Sequence, residues 1–300
     1  MRSDRRGMQH WQIAWSTLLL VSCRHSHGDA SAAARKDRPQ LWSSMCRPDR
    51  AARRNRRGSS DSDPEPLVED GDAVFFVGNS FMAWQNRSLP EWIQALGRAL
   101  SPPIRIEVGS DIVLGNTPLA EFLHHPATQA ALASRKYRVF VLQGEEFEPV
   151  DHRSEFHQAV RDFNRAILAA GGRTVLFMTW EFTWRRFLDD LAASYDEIGK
   201  ELDIPVIPIG LAYDDCGRTP PPGQPHDWLT VDPEHPQGDL HENQMGHALN
   251  TYATFQLLTG RNPHGQNFVA AGNDNSDALM RFFSDTAWAR VEPRLRAGCE

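Results

Sequence analysis

The apolar run Ala73–Val77, followed at once by Gly78-Asn79-Ser80, marks the first of five short apolar stretches along the chain. The others are Ile104–Val108, Arg138–Leu142, Thr174–Met178 and Pro205–Ile207. Short continuous runs rich in Val, Ile and Phe, bounded by turn residues, predict strands buried on both faces. Between them the apolar positions recur at helical spacing, predicting helices over Pro90–Leu100, Thr117–Leu123, Arg153–Ala169, Phe187–Leu202 and Gln244–Leu258. Ser88 ahead of Pro90 and Glu91 is a helix start, and Gly171-Gly172 a helix stop. A further helical stretch, from about Ser276 to Arg296, closes the chain. Strands alternating with amphipathic helices predict one three-layer α/β/α, flavodoxin-like domain with a mostly parallel sheet of about five strands.

The pattern is absent before residue 71. Residues 24–70 are rich in Ser, Ala and Arg, then turn acidic with Pro64 and Pro66, and read as a disordered linker. Ahead of it, Arg2, Arg5 and Arg6 precede the apolar stretch Trp11–Val21, too short to span a membrane but the right length for a signal-peptide core. Leu20-Val21-Ser22-Cys23 resembles a bacterial lipobox. The expected division is a signal peptide over 1–23, the linker over 24–70 and a catalytic domain over 71–300. The protein is then exported to the cell envelope or beyond, meeting a membrane only through a lipid on Cys23.

The net charge of -7 conceals a split. Residues 1–70 hold 13 basic and 9 acidic residues, leaving 19 and 30 in the remainder. An acidic body argues against nucleic acid as a partner. Cys23, Cys46, Cys216 and Cys299 form no paired-cysteine zinc pattern, and with Cys23 lipidated they allow at most one disulfide.

In open α/β sheets ligands collect at the carboxyl ends of strands, where Ser80 stands. Far downstream comes Gly238-Asp239-Leu240-His241-Glu242-Asn243-Gln244-Met245-Gly246, at the start of a helix. The two blocks together resemble the SGNH (GDSL-like) hydrolases, in the branch whose first block reads GNSF, over about Ala73–Pro263. The resemblance implies a Ser-His-Asp acyl-enzyme mechanism on ester bonds, with a small-molecule or carbohydrate ester such as an O-acetyl sugar as substrate, and no cofactor. Ser80 is the implied nucleophile and His241 its base, oriented by Asp239. The usual Asp-x-x-His spacing is here Asp-x-His, which leaves Asp232 open as the acid. The oxyanion donors implied are the Ser80 N–H, Gly115 and, in place of the usual Asn, Gln143, with Asn116 as an alternative.

Other readings attach to the same residues. Ser80 can cap the helix that follows it, and His241 can be an ordinary residue of a helix start. Trp180 and Glu181 end a strand at the same edge and can line a sugar or acyl pocket, or belong to its rim or the core. His226, Asp227, Asp232, His235, Asp239, His241 and His247 crowd one stretch and could ligate a metal, although their spacing matches no helix-borne motif. A noncatalytic, carbohydrate-binding module of the same fold is the third class.

Overall fold

The computed structural model describes residues 66–85, 87–230 and 240–297. The expected signal peptide, most of the expected linker, Cys23, Cys46, Cys299, Asp232, His235 and Asp239 lie outside the described residues.

Strand β1 (Ala73–Gly78) is buried along its whole length and forms the middle of the fold. A 3₁₀ turn (Ser80–Met82) and a small ribbon of β2 (Ala83–Trp84) and β3 (Arg87–Ser88) lead into α1 (Leu89–Ala99). Its start is the expected one: the Ser88 N–H donates to Glu91 Oε2 at 3.2 Å, beside Pro90 in the first turn. Next come β4 (Glu107–Ile112), α2 (Leu119–Phe122), α3 (Pro126–Ser134), β5 (Val139–Leu142), α4 (Glu148–Asp151), α5 (Arg153–Ala169) and β6 (Arg173–Phe177). The chain then runs through α6 (Leu188–Leu202), β7 (Val206–Ile207), α7 (Ile209–Arg218), α8 (Gln244–Thr259) and α9 (Asp277–Ala297).

Five strands form one sheet in the order β4-β1-β5-β6-β7, and every pair is parallel. This is the expected flavodoxin-like α/β/α architecture. Helix α1 packs on α8, which also meets α7 and α9, while α5 packs with α2, α4 and α6. The inner strands β1, β5 and β6 contribute fully buried Phe76, Val77, Val141, Leu142, Leu176 and Phe177. Each such side chain contributes about 1.5–3 kcal/mol on leaving water.

Three differences from the expected elements have physical causes. The second strand begins at Glu107, because β1, its ladder partner, begins at Ala73 and the two pair in register. Ile104 and Ile106 are buried as their alternation implies, but they precede the ladder. Helix α3 is Ala-rich with little apolar periodicity, and is held to β4 by Asp111, whose carboxylate accepts from Thr128 Oγ1 at 2.7 Å and meets His125 Nδ1 at 3.3 Å. Helix α7 carries Gly210 and Gly217, which weaken a helix signal. A Cβ on Gly210 would lie 2.2 Å from the Thr179 carbonyl oxygen, so glycine lets the helix lie close on the end of β6. The packed body also starts ahead of residue 71: Leu67 and Val68 are buried, and the Val68 N–H donates to the Leu258 carbonyl at 2.8 Å.

Candidate active site

At the carboxyl end of β1 the chain turns sharply, and the residue that caps this turn is Asn79. Its Oδ1 accepts from the Phe81 N–H at 3.1 Å. Ser80 is therefore freed from capping, and its Oγ lies 2.7 Å from His241 Nε2, 161 residues along the chain. That is a full-strength hydrogen bond between a hydroxyl and an imidazole, and it is the contact a serine nucleophile needs with its base.

The Asn79 turn is clamped by Gln143, from the end of the neighbouring strand β5. The Asn79 N–H donates to Gln143 Oε1 at 3.1 Å. Gln143 Nε2 donates in return to Asn79 Oδ1 at 2.6 Å and to the Gly144 carbonyl at 2.9 Å. Both residues are buried. Gly78 permits this closeness, since a Cβ there would meet Gln143 Oε1 at 2.6 Å.

His241 is placed by contacts around its turn. Trp180 Nε1 donates to the Leu240 carbonyl at 3.0 Å, and the Phe81 ring stacks on the imidazole at 5.5 Å with 29° between planes. Asn243 caps α8, accepting from the Met245 and Gly246 N–H groups at 2.9 and 3.1 Å. Its own Nδ2 donates to the Trp228 carbonyl at 2.7 Å, and its N–H to the Leu229 carbonyl at 2.8 Å. Gly246 has no room for a side chain: a Cβ would meet Tyr213 Oη at 2.4 Å and the Leu229 carbonyl at 2.7 Å. The Asn-x-x-Gly spacing thus has two jobs, a cap and a close approach, which together fix the turn carrying His241.

Behind this turn lies a buried acid–base pair. Glu242 Oε1 is 3.1 Å from His247 Nδ1, and neither side chain is accessible to solvent. Burial pushes the Glu242 carboxyl well above the usual range and pulls the His247 imidazole down to about 3. Both directions describe a neutral pair joined by this hydrogen bond. Trp92 packs edge-on against His247 at 4.7 Å. Burial also pushes the Cys216 thiol up to about 12, which leaves it unreactive.

No protein-family model and no curated protein matches the chain. Solved structures do. A DUF4886 family protein from Bacteroides uniformis superposes with a TM-score of 0.53 at 13% identity, over 73% of this chain and 94% of that one. A protein from Slackia heliotrinireducens described as a candidate SGNH hydrolase gives 0.48 at 18% identity, over 62% and 98%. An acetylxylan esterase from Geobacillus stearothermophilus gives 0.49 at 12%, over 63% and 95%. The chain shares the fold of the DUF4886 family protein.

Against the SGNH block pattern the sequence-derived residues divide. Ser80 and His241 come together directly. Gly115 lies at the same sheet edge, three residues past the end of β4, whose last residue pairs with Gly78. It is exposed, with φ +121° and open space around its α-carbon. Gln143 is beside the Ser80 turn, but both hydrogens of its amide are bonded, to Asn79 and Gly144, so it clamps the turn where an oxyanion donor was expected. Asn116 is exposed in the Gly115 loop.

Trp180 is a buried core residue, stacked on Tyr213 at 4.5 Å with 3° between planes. Its indole N–H serves the His241 turn. Glu181 caps α6, accepting from the Phe187 and Leu188 N–H groups at 2.9 and 3.0 Å, and pairs with Arg186. Within the suspected metal cluster, His226 Nδ1 meets Asp227 Oδ1 at 3.0 Å while His247 is buried with Glu242. Among the described residues no three His, Cys, Asp or Glu are grouped to hold a metal ion. Asn79 as the cap, Trp180 as a donor and Glu242 as the partner of His247 escaped the sequence reading. The Asn before Ser80 was the one local signal available, since Asn is a strong N-cap.

Proposed function

We propose that this protein is a serine esterase acting on short acyl esters, with Ser80 as nucleophile and His241 as general base. The 2.7 Å Ser80–His241 contact at the carboxyl edge of an SGNH-like sheet carries the reading. Ser80 Oγ attacks the ester carbonyl as its proton passes to His241 Nε2. The oxyanion forms beside the Ser80 N–H, which makes no hydrogen bond to another described residue, and the Gly115 N–H completes the hole. The imidazolium then protonates the departing alcohol, and a water deprotonated by His241 releases the acid from the acyl-enzyme. Asp239, two residues before His241 in the sequence, is the proposed orienting carboxylate. The N-terminal pattern supports export and tethering through Cys23, and a carbohydrate O-acetyl ester is the substrate the family resemblance favours.

The test is hydrolysis of p-nitrophenyl acetate by the full chain, beside Ser80→Ala and His241→Ala. Both variants should lose at least about 10³-fold in kcat while remaining folded. A fluorophosphonate should label the parent and not Ser80→Ala. A Ser80→Ala variant as active as the parent would sink the assignment.

A further inference from the structure

Between β6 and α6 the chain forms a tight hairpin that places one large aromatic ring in solvent. The Phe182 N–H donates to the Arg185 carbonyl at 3.1 Å, and the Arg185 N–H to the Phe182 carbonyl at 3.3 Å. The Arg185 guanidinium is paired with both carboxylate oxygens of Asp151, at 2.7 and 2.5 Å, and lies over the Phe147 ring at 4.7 Å. Glu181 anchors the following residues to the start of α6. On this fixed turn Trp184 remains 61% exposed.

The indole is the outer end of a ring stack that reaches the candidate active site. Trp184 stacks on Phe182 at 5.3 Å and 22°, Phe182 on Phe81 at 6.2 Å and 15°, and Phe81 on His241 at 5.5 Å and 29°. Two rings therefore separate an exposed, rigidly held aromatic face from the imidazole. Thr183, next along the chain, lines a small recess together with Glu181, Arg186, Asp214, His226 and Asp227. One apolar face beside a recess lined by charged and hydroxyl groups suits a ligand that is apolar on one side and polyhydroxylated at its edge. A lipid chain would need a contiguous apolar surface. The other exposed large apolar side chains among the described residues, Leu114, Leu168 and Val269, lie outside this turn.

We infer that Trp184 is a sugar-binding platform, on which a pyranose ring of the substrate stacks while a neighbouring unit presents its ester to Ser80. The inference rests on the esterase reading and adds the substrate class and the subsite. The two intervening rings place the stacked unit beyond the esterified one, so an oligosaccharide ester is favoured over a monosaccharide ester.

The experiment compares the full chain with Trp184→Ala and Trp184→Phe on two substrates. One is ethyl acetate, which has no ring to stack. The other is chemically acetylated cellotetraose or xylotetraose, each followed by proton release. Trp184→Ala should raise KM for the acetylated oligosaccharide about five- to tenfold, the size of one lost aromatic contact, with Trp184→Phe in between. Kinetics on ethyl acetate should stay unchanged in both. Equal KM values for parent and Trp184→Ala on the oligosaccharides would overturn the platform and leave the esterase intact. Turnover of ethyl acetate with none of either oligosaccharide would overturn it as well and point to docking of another protein on the turn. Loss of both activities in the parent, with Ser80→Ala indistinguishable from it, would instead refute the esterase reading.

Discussion

Glu242→Gln removes one ionisable group from the buried pair behind the His241 turn while keeping its shape and a hydrogen-bond donor for His247. In the folded protein the pair is neutral: Glu242 keeps its proton above the ordinary 4.5, and His247 stays unprotonated down to about 3. Between pH 4.5 and 6.5 the folded pair holds one proton, on Glu242, and the unfolded pair also holds one, on His247. The contribution of the pair to stability is then flat. Above pH 6.5 the unfolded pair holds none and the folded pair still one, so stability falls as pH rises, by about 1.4 kcal/mol per unit. Below pH 4.5 the unfolded pair holds two, and stability falls as pH drops. From pH 6.5 to 8.0 the parent should lose stability through this pair, because burial holds the proton on Glu242 while the unfolded His247 gives its proton up. Glu242→Gln should lack that component, because a glutamine does not titrate. Urea unfolding at the two pH values, in parent and variant, reads the double difference, in which every other titrating group cancels. Equal losses in the two proteins would mean that Glu242 is ionised in the folded state, and the neutral-pair assignment would fall.

Two further substitutions probe the turns that hold Ser80 and His241. Gln143→Ala leaves the buried Asn79 N–H without its partner, Asn79 Oδ1 keeping the Phe81 N–H, and should cost about 1–3 kcal/mol in urea unfolding. With the Ser80 turn unclamped, kcat should fall by about 10- to 100-fold on p-nitrophenyl acetate; an unchanged kcat would show that the clamp does not position the serine. Gly246→Ala drives a methyl into Tyr213 Oη and the Leu229 carbonyl, and should destabilise by about 1–3 kcal/mol, measured the same way.

Much of the architecture was legible because it depends on local periodicity. Four of the five sheet strands lie within a residue or two of their apolar runs, since a strand buried on both faces must be apolar throughout. The edge strand β4 slipped by several residues: its sequence Glu-Val-Gly-Ser-Asp-Ile is mixed because one side of it has no neighbour strand. Helices α3 and α7 were missed, the first for want of an apolar stripe, the second because its glycines serve close packing.

Alone, the sequence determined the alternation of strands and helices, the placement of Ser80 at a strand end and the start of α8 behind His241. Each follows from residue types within a few positions, through burial, capping and turn chemistry. Tertiary structure decided which polar atoms meet. Ser80 could cap its own turn or face an imidazole; Asn79 took the cap, and His241 arrived from 161 residues away. Gln143 carries the right donors for an oxyanion, but Asn79 Oδ1, 64 residues earlier, and the Gly144 carbonyl engage them. Trp180 has the chemistry of a sugar platform, yet its N–H holds the Leu240 carbonyl, 60 residues on, and Trp184 is the ring that stays in solvent. A hydrogen-bonding or aromatic side chain has several acceptable partners, and only the packing of distant segments selects among them.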